Sequence, residues 1–166
     1  AAQFQAATFK GDLETNLEQI ASLGYQGVEL AIRDPALVDY AALEASVKKH
    51  HLHVPAIGTG QAWGEEGLSF TDPSPQVREA AIRRIVSHFP GAQRFGAVII
   101  IGLIRGLVKP GVDPSQAMTW LVEALQECSR AAQPYGLRLA LEPINRYETT
   151  LINTCAEGLE LIERVG

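Results

Sequence analysis

Sulfur-containing residues are scarce in this sequence, which has two cysteines and one methionine among its 166 residues. Cys128 and Cys155 both fall in predicted helices, so we expect reduced packing residues rather than a disulfide. Long apolar runs are also missing, since the longest spans only residues 97–101 and a transmembrane helix needs about 20 residues. Residues 1–5 lack the basic region and the apolar core of a signal peptide. These absences predict a cytoplasmic protein with no membrane partner.

An excess of basic side chains is absent as well. The sequence has 14 Lys and Arg against 19 Asp and Glu, which gives a formal net charge of -5. Nucleic-acid-binding surfaces usually carry a basic patch, so we expect no nucleic-acid partner. The hydrophobic content of 46% and the charged content of 20% are ordinary for a globular protein. The length is sufficient for one domain with its own core.

What the sequence does contain is a repeated pattern of a short apolar strand followed by an amphipathic helix. The predicted strands are residues 4–9, 27–31, 53–58, 97–101 and 138–142. Helices are predicted to start near Asp12, Asp39, Ser74, Pro114 and Thr154, with a long loop at 59–75 and a break at Pro90-Gly91. Repeats of about 30 to 45 residues are typical of βαβ units. The pattern predicts an α/β fold of parallel strands with outer helices, either a doubly wound sheet or part of an eight-fold barrel.

The last residue, Gly166, bears on whether the predicted fold is complete in this sequence. Glycines recur where a predicted helix gives way to the next strand, as at Gly24, Gly96 and Gly136. Gly166 occupies the same position, yet no strand follows it in this sequence. We therefore interpret residues 1–166 as a single domain that is truncated at its C-terminus.

Glu142 is the strongest candidate for a functional residue. In the alternation of the predicted strand, Leu139 and Leu141 point to one face, and Glu142 points to the other. Pro143 ends the strand, so the carboxylate lies at its carboxyl end, where α/β proteins place their chemistry. Glu142 is thus a metal ligand or a general base, or it is a structural carboxylate paired with a neighbouring arginine. The arginines within reach in the sequence are Arg138 and Arg146.

Several other residues have both a functional and a structural interpretation. Glu29 is predicted to face the centre of the fold, either to meet a substrate or as a hydrogen-bonded structural carboxylate. Trp63 either walls a substrate pocket or packs beneath its own loop. Arg105 either binds a phosphate or is a solvated loop residue. Glu148 alone is a solvated loop glutamate, and Asn153 braces the start of the last helix.

Two short motifs near the third predicted strand are weaker. The cluster of His50, His51 and His53 suggests a metal site, but it falls at the amino-terminal end of that strand, remote from the expected chemistry. Gly58-Thr-Gly60 does not fit the dinucleotide fingerprint, because the next glycine, Gly64, comes one residue late. Gly58 ends the strand and allows close backbone approach to a substrate.

Three segments together resemble the sugar phosphate isomerase/epimerase family. Residues 141–154, Leu-Glu-Pro-Ile-Asn-Arg-Tyr-Glu-Thr-Thr-Leu-Ile-Asn-Thr, are similar to its fifth-strand signature. Residues 23–30 and 95–102 resemble its second-strand and fourth-strand motifs. The family has a xylose-isomerase-like barrel and includes ketose 3-epimerases and hydroxypyruvate isomerases.

The resemblance implies a partial (β/α)8 TIM barrel that comprises about the first five βα units. It also implies a divalent metal, Mn²⁺, Mg²⁺ or Co²⁺, held by a Glu, an Asp, a His and a second Glu on strands 5 to 8. Glu142 matches the first ligand, which also moves the proton next to the carbonyl through an enediolate. Glu148 matches a glutamate that hydrogen-bonds the sugar near C1. The implied substrate is a sugar, a sugar phosphate or a small hydroxy-carbonyl compound.

The same comparison limits what this chain does alone. Three of the four metal ligands that the resemblance implies have no counterpart here, so we expect weak or no metal binding and an inactive isolated chain. One alternative is a non-catalytic half-barrel that folds by self-assembly as a homo-oligomer. A less favoured alternative is a metal-dependent nuclease, because type IV apurinic endonucleases share the fold.

Overall fold

The structure is a computed structural model that describes residues 11–166. Four parallel strands form the sheet of this part of the chain. The strands are β1 (Leu30–Ala31), β2 (Ala56–Gly58), β3 (Val98–Ile101) and β4 (Leu139–Leu141). They correspond to the second to fifth predicted strands, and the first, residues 4–9, lies outside the described residues. Each strand pairs with the next one along the chain, in the order β1-β2-β3-β4. A doubly wound sheet reverses its strand order, so this sequential order is that of a barrel.

Seven α-helices accompany the strands in the described part of the chain, and three short 3-10 helices follow strand or helix ends. The α-helices are α1 (Leu13–Ser22), α2 (Tyr40–Lys49), α3 (Gly60–Glu66), α4 (Pro75–Ser87), α5 (Phe89–Phe95), α6 (Pro114–Ala132) and α7 (Cys155–Val165). The 3-10 helices are Pro35–Leu37, Leu103–Arg105 and Gln133–Tyr135. None of the described helices combines the length and the apolar composition that crossing a membrane requires.

The predicted helix starts are confirmed by their capping residues. Asp12 accepts a hydrogen bond from the backbone N–H of Thr15, and Asp39 caps α2 in the same way. Thr154 and Glu157 form the predicted capping box, in which each side chain accepts from the other residue's backbone N–H. These caps involve residues that are close together in the sequence, so the sequence alone is sufficient to predict them.

One prediction about the middle of the chain was wrong, and a second was confirmed. The segment 59–75 is not a continuous loop, because it contains α3, a short helix that ends at Gly67 in the left-handed conformation. The predicted helix break near Pro90-Gly91 is present, since α4 ends at Ser87. A new helix, α5, begins there with Pro90 in its first turn, where proline's missing N–H is not needed.

The hydrophobic core lies between the sheet and the helices. Ile99 and Ile101 of β3 are fully buried, as is Ile57 of β2. Residues 97–101 are apolar at every position, which predicts a strand buried on both faces. Val98 and Ile100 are only partly buried, which corrects this prediction. The physical reason is that Ile100 points away from the helices, into the open concave side of the sheet.

Helix α7 packs through a different face from the one that the spacing of Cys155, Leu159 and Ile162 predicts. Its buried residues are Gly158 and Leu161, whereas Leu159 and Ile162 are 63% and 53% exposed. A Cβ atom on Gly158 would lie 3.5 Å from Pro143 and 3.7 Å from Leu141, so this part of α7 lies against the end of β4. Cys155 is therefore exposed, which corrects its interpretation as a packing residue, while Cys128 of α6 is fully buried as predicted.

His88, at the junction of α4 and α5, is a buried polar group without a partner. Its side chain is fully buried, and neither ring nitrogen has a hydrogen-bond partner within residues 11–166. Burial lowers the pKa of His88 from 6.5 to about 4, because the charged imidazolium loses its hydration; Arg84 lowers the pKa further, and Asp34 opposes the shift. The folded protein therefore holds His88 neutral at physiological pH.

This burial predicts acid-sensitive folding. Between pH 6.5 and 4 the unfolded chain binds a proton at residue 88 that the folded chain does not, so the free energy of unfolding falls as the pH falls. The expected loss is about 3 kcal/mol between pH 7 and pH 4, from the size of the pKa shift. Urea unfolding monitored by circular dichroism measures it. His88→Leu should remove this part of the pH dependence, and the exposed control His51→Asn should retain it. Equal slopes for His88→Leu and the wild type would contradict the assignment.

Candidate active site

A cavity of about 430 Å³ opens at the carboxyl ends of the four strands, on the concave side of the sheet. Three carboxylates line it, those of Glu29, Glu142 and Glu148, together with the side chains of Asn145 and Thr59. No Lys, Arg or His is among the described residues that line it. The cavity is therefore a polar, acidic site in the position where barrel proteins hold their active sites.

Glu142 occupies the position that the sequence predicts. Its backbone N–H donates to the carbonyl of Ile101 at 3.1 Å, so the sheet pairing continues one residue beyond β4. Its side chain points into the cavity, opposite to the core-packed Leu141. A Cβ atom on Gly102 would lie 2.6 Å from Oε2 of Glu142, so the glycine provides the space that the carboxylate occupies. In residues 11–166, Glu142 forms no ion pair with Arg138 or Arg146, the pairing that a purely structural role would require.

Glu29 lies across the cavity in a matching arrangement. It precedes Leu30 of β1, and its Oε1 atom would be 3.1 Å from a Cβ on Gly58, at the end of β2. Partial burial raises the pKa of Glu29, and the negative charge of Glu142 raises it further. The predicted orientation towards the centre of the fold is confirmed. None of the hydrogen bonds or ion pairs found among residues 11–166 involves the carboxylate of Glu29. The hydrogen-bonding partner expected for this side chain is therefore not among those residues.

Glu148 and Asn145 are held in the loop after β4 by hydrogen bonds within that loop. Asn145 donates from Nδ2 to Oε1 of Glu148 at 2.7 Å and accepts from the backbone N–H of Tyr147. Asn153 donates to the carbonyls of Ile144 and Thr149 at 2.7 and 3.0 Å. The bracing role predicted for Asn153 is thus confirmed. Asn145 was missed as a cavity residue, although its position three residues before Glu148 is the signal of a side-chain-stabilised turn.

Arg105 does not lie where a phosphate or any other ligand can reach it. The side chain is fully buried, and its guanidinium donates to the carbonyls of Gly102, Glu142, Leu151 and Ile152. Neither the predicted contact with substrate nor the alternative of a solvated loop residue fits this geometry. The physical reason is that the 3-10 helix at Leu103–Arg105 turns the side chain inward, beneath the cavity, instead of outward.

Trp63 and the three clustered histidines do not line the cavity. Trp63 is on α3, is partly buried against the hydrophobic core, and is not among the residues that line the cavity. His50 contacts Glu14 on the outer surface, at 2.8 Å, and His53 lies beside Gly27. Thr59 does line the cavity, but its hydroxyl donates to the carbonyl of Ile100. Four residues were predicted to form the site, namely Glu142, Glu148, Trp63 and Arg105. Of these, only the two glutamates line the cavity.

Glu142 suits a hard divalent cation as one oxygen ligand, but the described residues do not fit a complete metal site. Mg²⁺ and Mn²⁺ take several oxygen or imidazole ligands. Residues 11–166 contain no group of three or more His, Cys, Asp or Glu side chains arranged to hold a metal ion. The donor chemistry thus agrees with the metals that the resemblance implies, while the number of ligands does not.

The facing carboxylates give a direct electrostatic prediction. Replacing Glu142 by Gln removes a negative charge, so the pKa of Glu29 should move down towards its ordinary value, although burial keeps part of the shift. A ¹³C NMR titration of the Glu29 side chain measures this. Glu148→Gln is the matched control and should leave the pKa of Glu29 unchanged, because Glu148 does not contribute to its shift. An unchanged value in Glu142→Gln would show that the two carboxylates do not face each other.

Comparison with known proteins finds sugar epimerases among the relatives of this chain. It is 28% identical over 166 residues to an L-ribulose 3-epimerase of Mesorhizobium japonicum, a match that covers 98% of this chain and 54% of the relative. A D-psicose 3-epimerase of Ruminiclostridium cellulolyticum is 24% identical, with 95% of this chain and 55% of the relative covered. The chain thus spans about half the length of the curated relatives that it matches.

Solved structures give the same fold. The crystal structure of D-allulose 3-epimerase from Methylomonas sp. in complex with D-allulose superposes with a TM-score of 0.77 at 25% identity, over 92% of this chain and 52% of that one. A D-psicose 3-epimerase from Clostridium cellulolyticum reaches a TM-score of 0.79 at 21% identity, over 94% of this chain and 55% of that one. The family model described as the xylose isomerase-like TIM barrel matches residues 17–166. With its sequential parallel strands and its acidic cavity at their carboxyl ends, the chain belongs to the xylose isomerase-like TIM barrel family.

Proposed function

We propose that this chain carries part of the active site of a sugar epimerase or isomerase that moves a proton at the carbon next to a ketose carbonyl. The observation that carries the proposal is Glu142, a carboxylate at a strand end that points into the cavity and has no ion-pair partner in residues 11–166. Support also comes from the relatives, which include L-ribulose and D-psicose 3-epimerases. The activity of the whole protein is part of this proposal, since the chain spans about half of those relatives.

In the proposed reaction, Glu142 accepts the proton from C3 of the ketose. The electron pair of the broken C–H bond forms the C2–C3 double bond, and the carbonyl oxygen takes up the negative charge, which gives an enediolate. Return of a proton to the opposite face of C3 inverts that carbon, and the resemblance assigns this step to a second glutamate on the eighth barrel strand. Glu148 and Asn145 would meanwhile hydrogen-bond the sugar near C1 and fix its orientation.

The charges of the cavity favour a free sugar over a sugar phosphate. Glu29, Glu142 and Glu148 all line it, and no described lining residue is cationic. Arg105, the buried cation nearby, has four of its five N–H donors committed to carbonyl oxygens. A phosphate would therefore meet repulsion without a counter-charge. The same repulsion disfavours the phosphate backbone of a nucleic acid.

Exchange of the C3 proton with solvent tests the role of Glu142. We expect no efficient epimerisation by this chain alone, but the first proton transfer can be followed separately. In D₂O with Mn²⁺ and D-psicose or L-ribulose, that step should incorporate deuterium at C3, as detected by NMR. The rate should be slow, because the described residues contain neither a complete metal site nor an assigned second proton donor. Glu142→Gln should lower the rate by at least about 100-fold, the usual contribution of a positioned base.

The exposed Glu123→Gln, on α6, is the control for this test and should leave the rate unchanged. Incorporation no faster than without protein, or equal rates in the wild type and Glu142→Gln, would contradict the proposed role. Turnover of about 1 s⁻¹ or faster, which is ordinary for enzymes, would show that this chain alone is a competent catalyst, against our expectation.

Ligand binding tests the preference for a free sugar. Saturation-transfer NMR should detect binding of the free ketose and at least about tenfold weaker binding of the corresponding ketose phosphate, because the three carboxylates repel the phosphate. The difference should shrink in Glu29→Gln, which removes one negative charge without touching Glu142. Equal or tighter binding of the phosphate would refute this part of the proposal.

A further inference from the structure

Arg105 is the largest side chain that the described part of the fold buries completely. A buried guanidinium is unfavourable unless its N–H groups find acceptors. Here four of the five donate to backbone carbonyls. Nε donates to Leu151 at 3.1 Å, Nη1 to Gly102 at 2.9 Å and to Glu142 at 2.6 Å, and Nη2 to Ile152 at 3.1 Å.

These four carbonyls belong to three separate segments of the chain. Gly102 follows β3, Glu142 follows β4, and Leu151 and Ile152 lie in the loop before α7. One rigid, planar side chain thus fixes the distances between the end of β3, the end of β4 and the loop that carries Glu148. Lysine has three donors on a flexible stem and cannot reproduce this set of contacts.

Ile152 adds independent evidence that the loop is held in place. Its φ is +54°, in the left-handed region that branched side chains avoid. Such a conformation is unfavourable and persists only where surrounding contacts impose it. Here its carbonyl accepts from Arg105 Nη2 and from the backbone N–H of Ile144. The strained residue therefore lies at the point where the guanidinium meets the loop.

We propose that Arg105 is a positioning residue that fixes the backbone of Glu142 and the 144–153 loop, so that Glu142 and Glu148 face one cavity. The inference rests on the proposed function only in that the two carboxylates serve the proton transfer proposed above. The geometry itself is set by contacts that do not involve a substrate. Arg105 touches no reacting atom and acts through the carbonyls that it binds.

Amide hydrogen exchange on the whole 166-residue chain tests the proposal. Arg105→Lys keeps the charge but loses the planar set of donors. The backbone amide of Ile144, which donates to Ile152, should exchange roughly tenfold faster or more, while the amide of Ile99 in β3 should be unchanged. The matched control is Arg84→Lys. Arg84 also donates to a backbone carbonyl, that of Arg33, but lies away from the cavity. This variant should leave the exchange of Ile144 unchanged.

A second readout separates positioning from general stabilisation. In the C3 deuterium-exchange assay, Arg105→Lys should lower the rate at saturating sugar by roughly tenfold or more, the size of effect seen when partners of active-site ligands are removed. A merely structural role would lower the unfolding temperature and leave the rate of the folded protein unchanged. If the wild type shows no Glu142-dependent deuterium exchange, the proposed function fails, and amide exchange still decides the role of Arg105.

The outcomes that overturn the inference are distinct. Equal protection of Ile144 in Arg105→Lys and Arg84→Lys would refute it, and so would faster exchange spread evenly over all four strands. If the wild-type rate of C3 deuterium exchange depends on Glu142, an unchanged rate in Arg105→Lys would also refute the inference. Should Arg105→Lys not fold, ¹⁵N NMR of the wild type decides. Separate, slowly exchanging Nη signals are expected for a fixed guanidinium, and a single averaged signal would overturn the proposal.

Discussion

Burial of one cation beneath the cavity is the interaction on which the rest of this site depends. The Arg105 guanidinium loses its hydration, which lowers the pKa of this side chain to about 10, and the negative charge of Glu142 partly opposes the shift. What offsets the desolvation is a set of four carbonyl oxygens from three segments. All four carbonyls belong to residues outside the described helices and strands. The loops and the buried cation thus stabilise one another, and together they support the carboxylates above.

Above the buried Arg105, the wall of the cavity contains the same arrangement twice, a glutamate beside a glycine. Glu29 and Glu142 each point at a glycine of the neighbouring strand end, Gly58 and Gly102 respectively. The register of β3 and β4 places Glu142 directly beside Gly102. Glu29 lies two residues before Ala31, the register partner of Gly58, and shares a face with it because side chains alternate along a strand. The chemistry of the site, acidic and open, follows from the same arrangement.

Features set by local chemistry could be predicted from the sequence, whereas features set by tertiary contacts could not. The caps of α1, α2 and α7 and the orientation of Glu142 follow from short-range patterns, and the structure confirms them. The inward turn of Arg105 depends on carbonyls almost 50 residues away, which no spacing rule reveals. The exposed face of α7 was mispredicted for a related reason, since periodicity finds an apolar stripe but does not say what the stripe contacts.

The glycine that faces each carboxylate also bears on how this cavity can diversify. A methyl group at residue 102 would compete directly with Oε2 of Glu142 for the same volume, and one at residue 58 would crowd Glu29. Both positions are therefore closed to change if the carboxylates are to stay where they are. Asn145 borders the same cavity from a surface loop, and its side chain is exposed. Laboratory evolution of new sugar preferences should consequently begin at that loop and leave the two strand-end glycines intact.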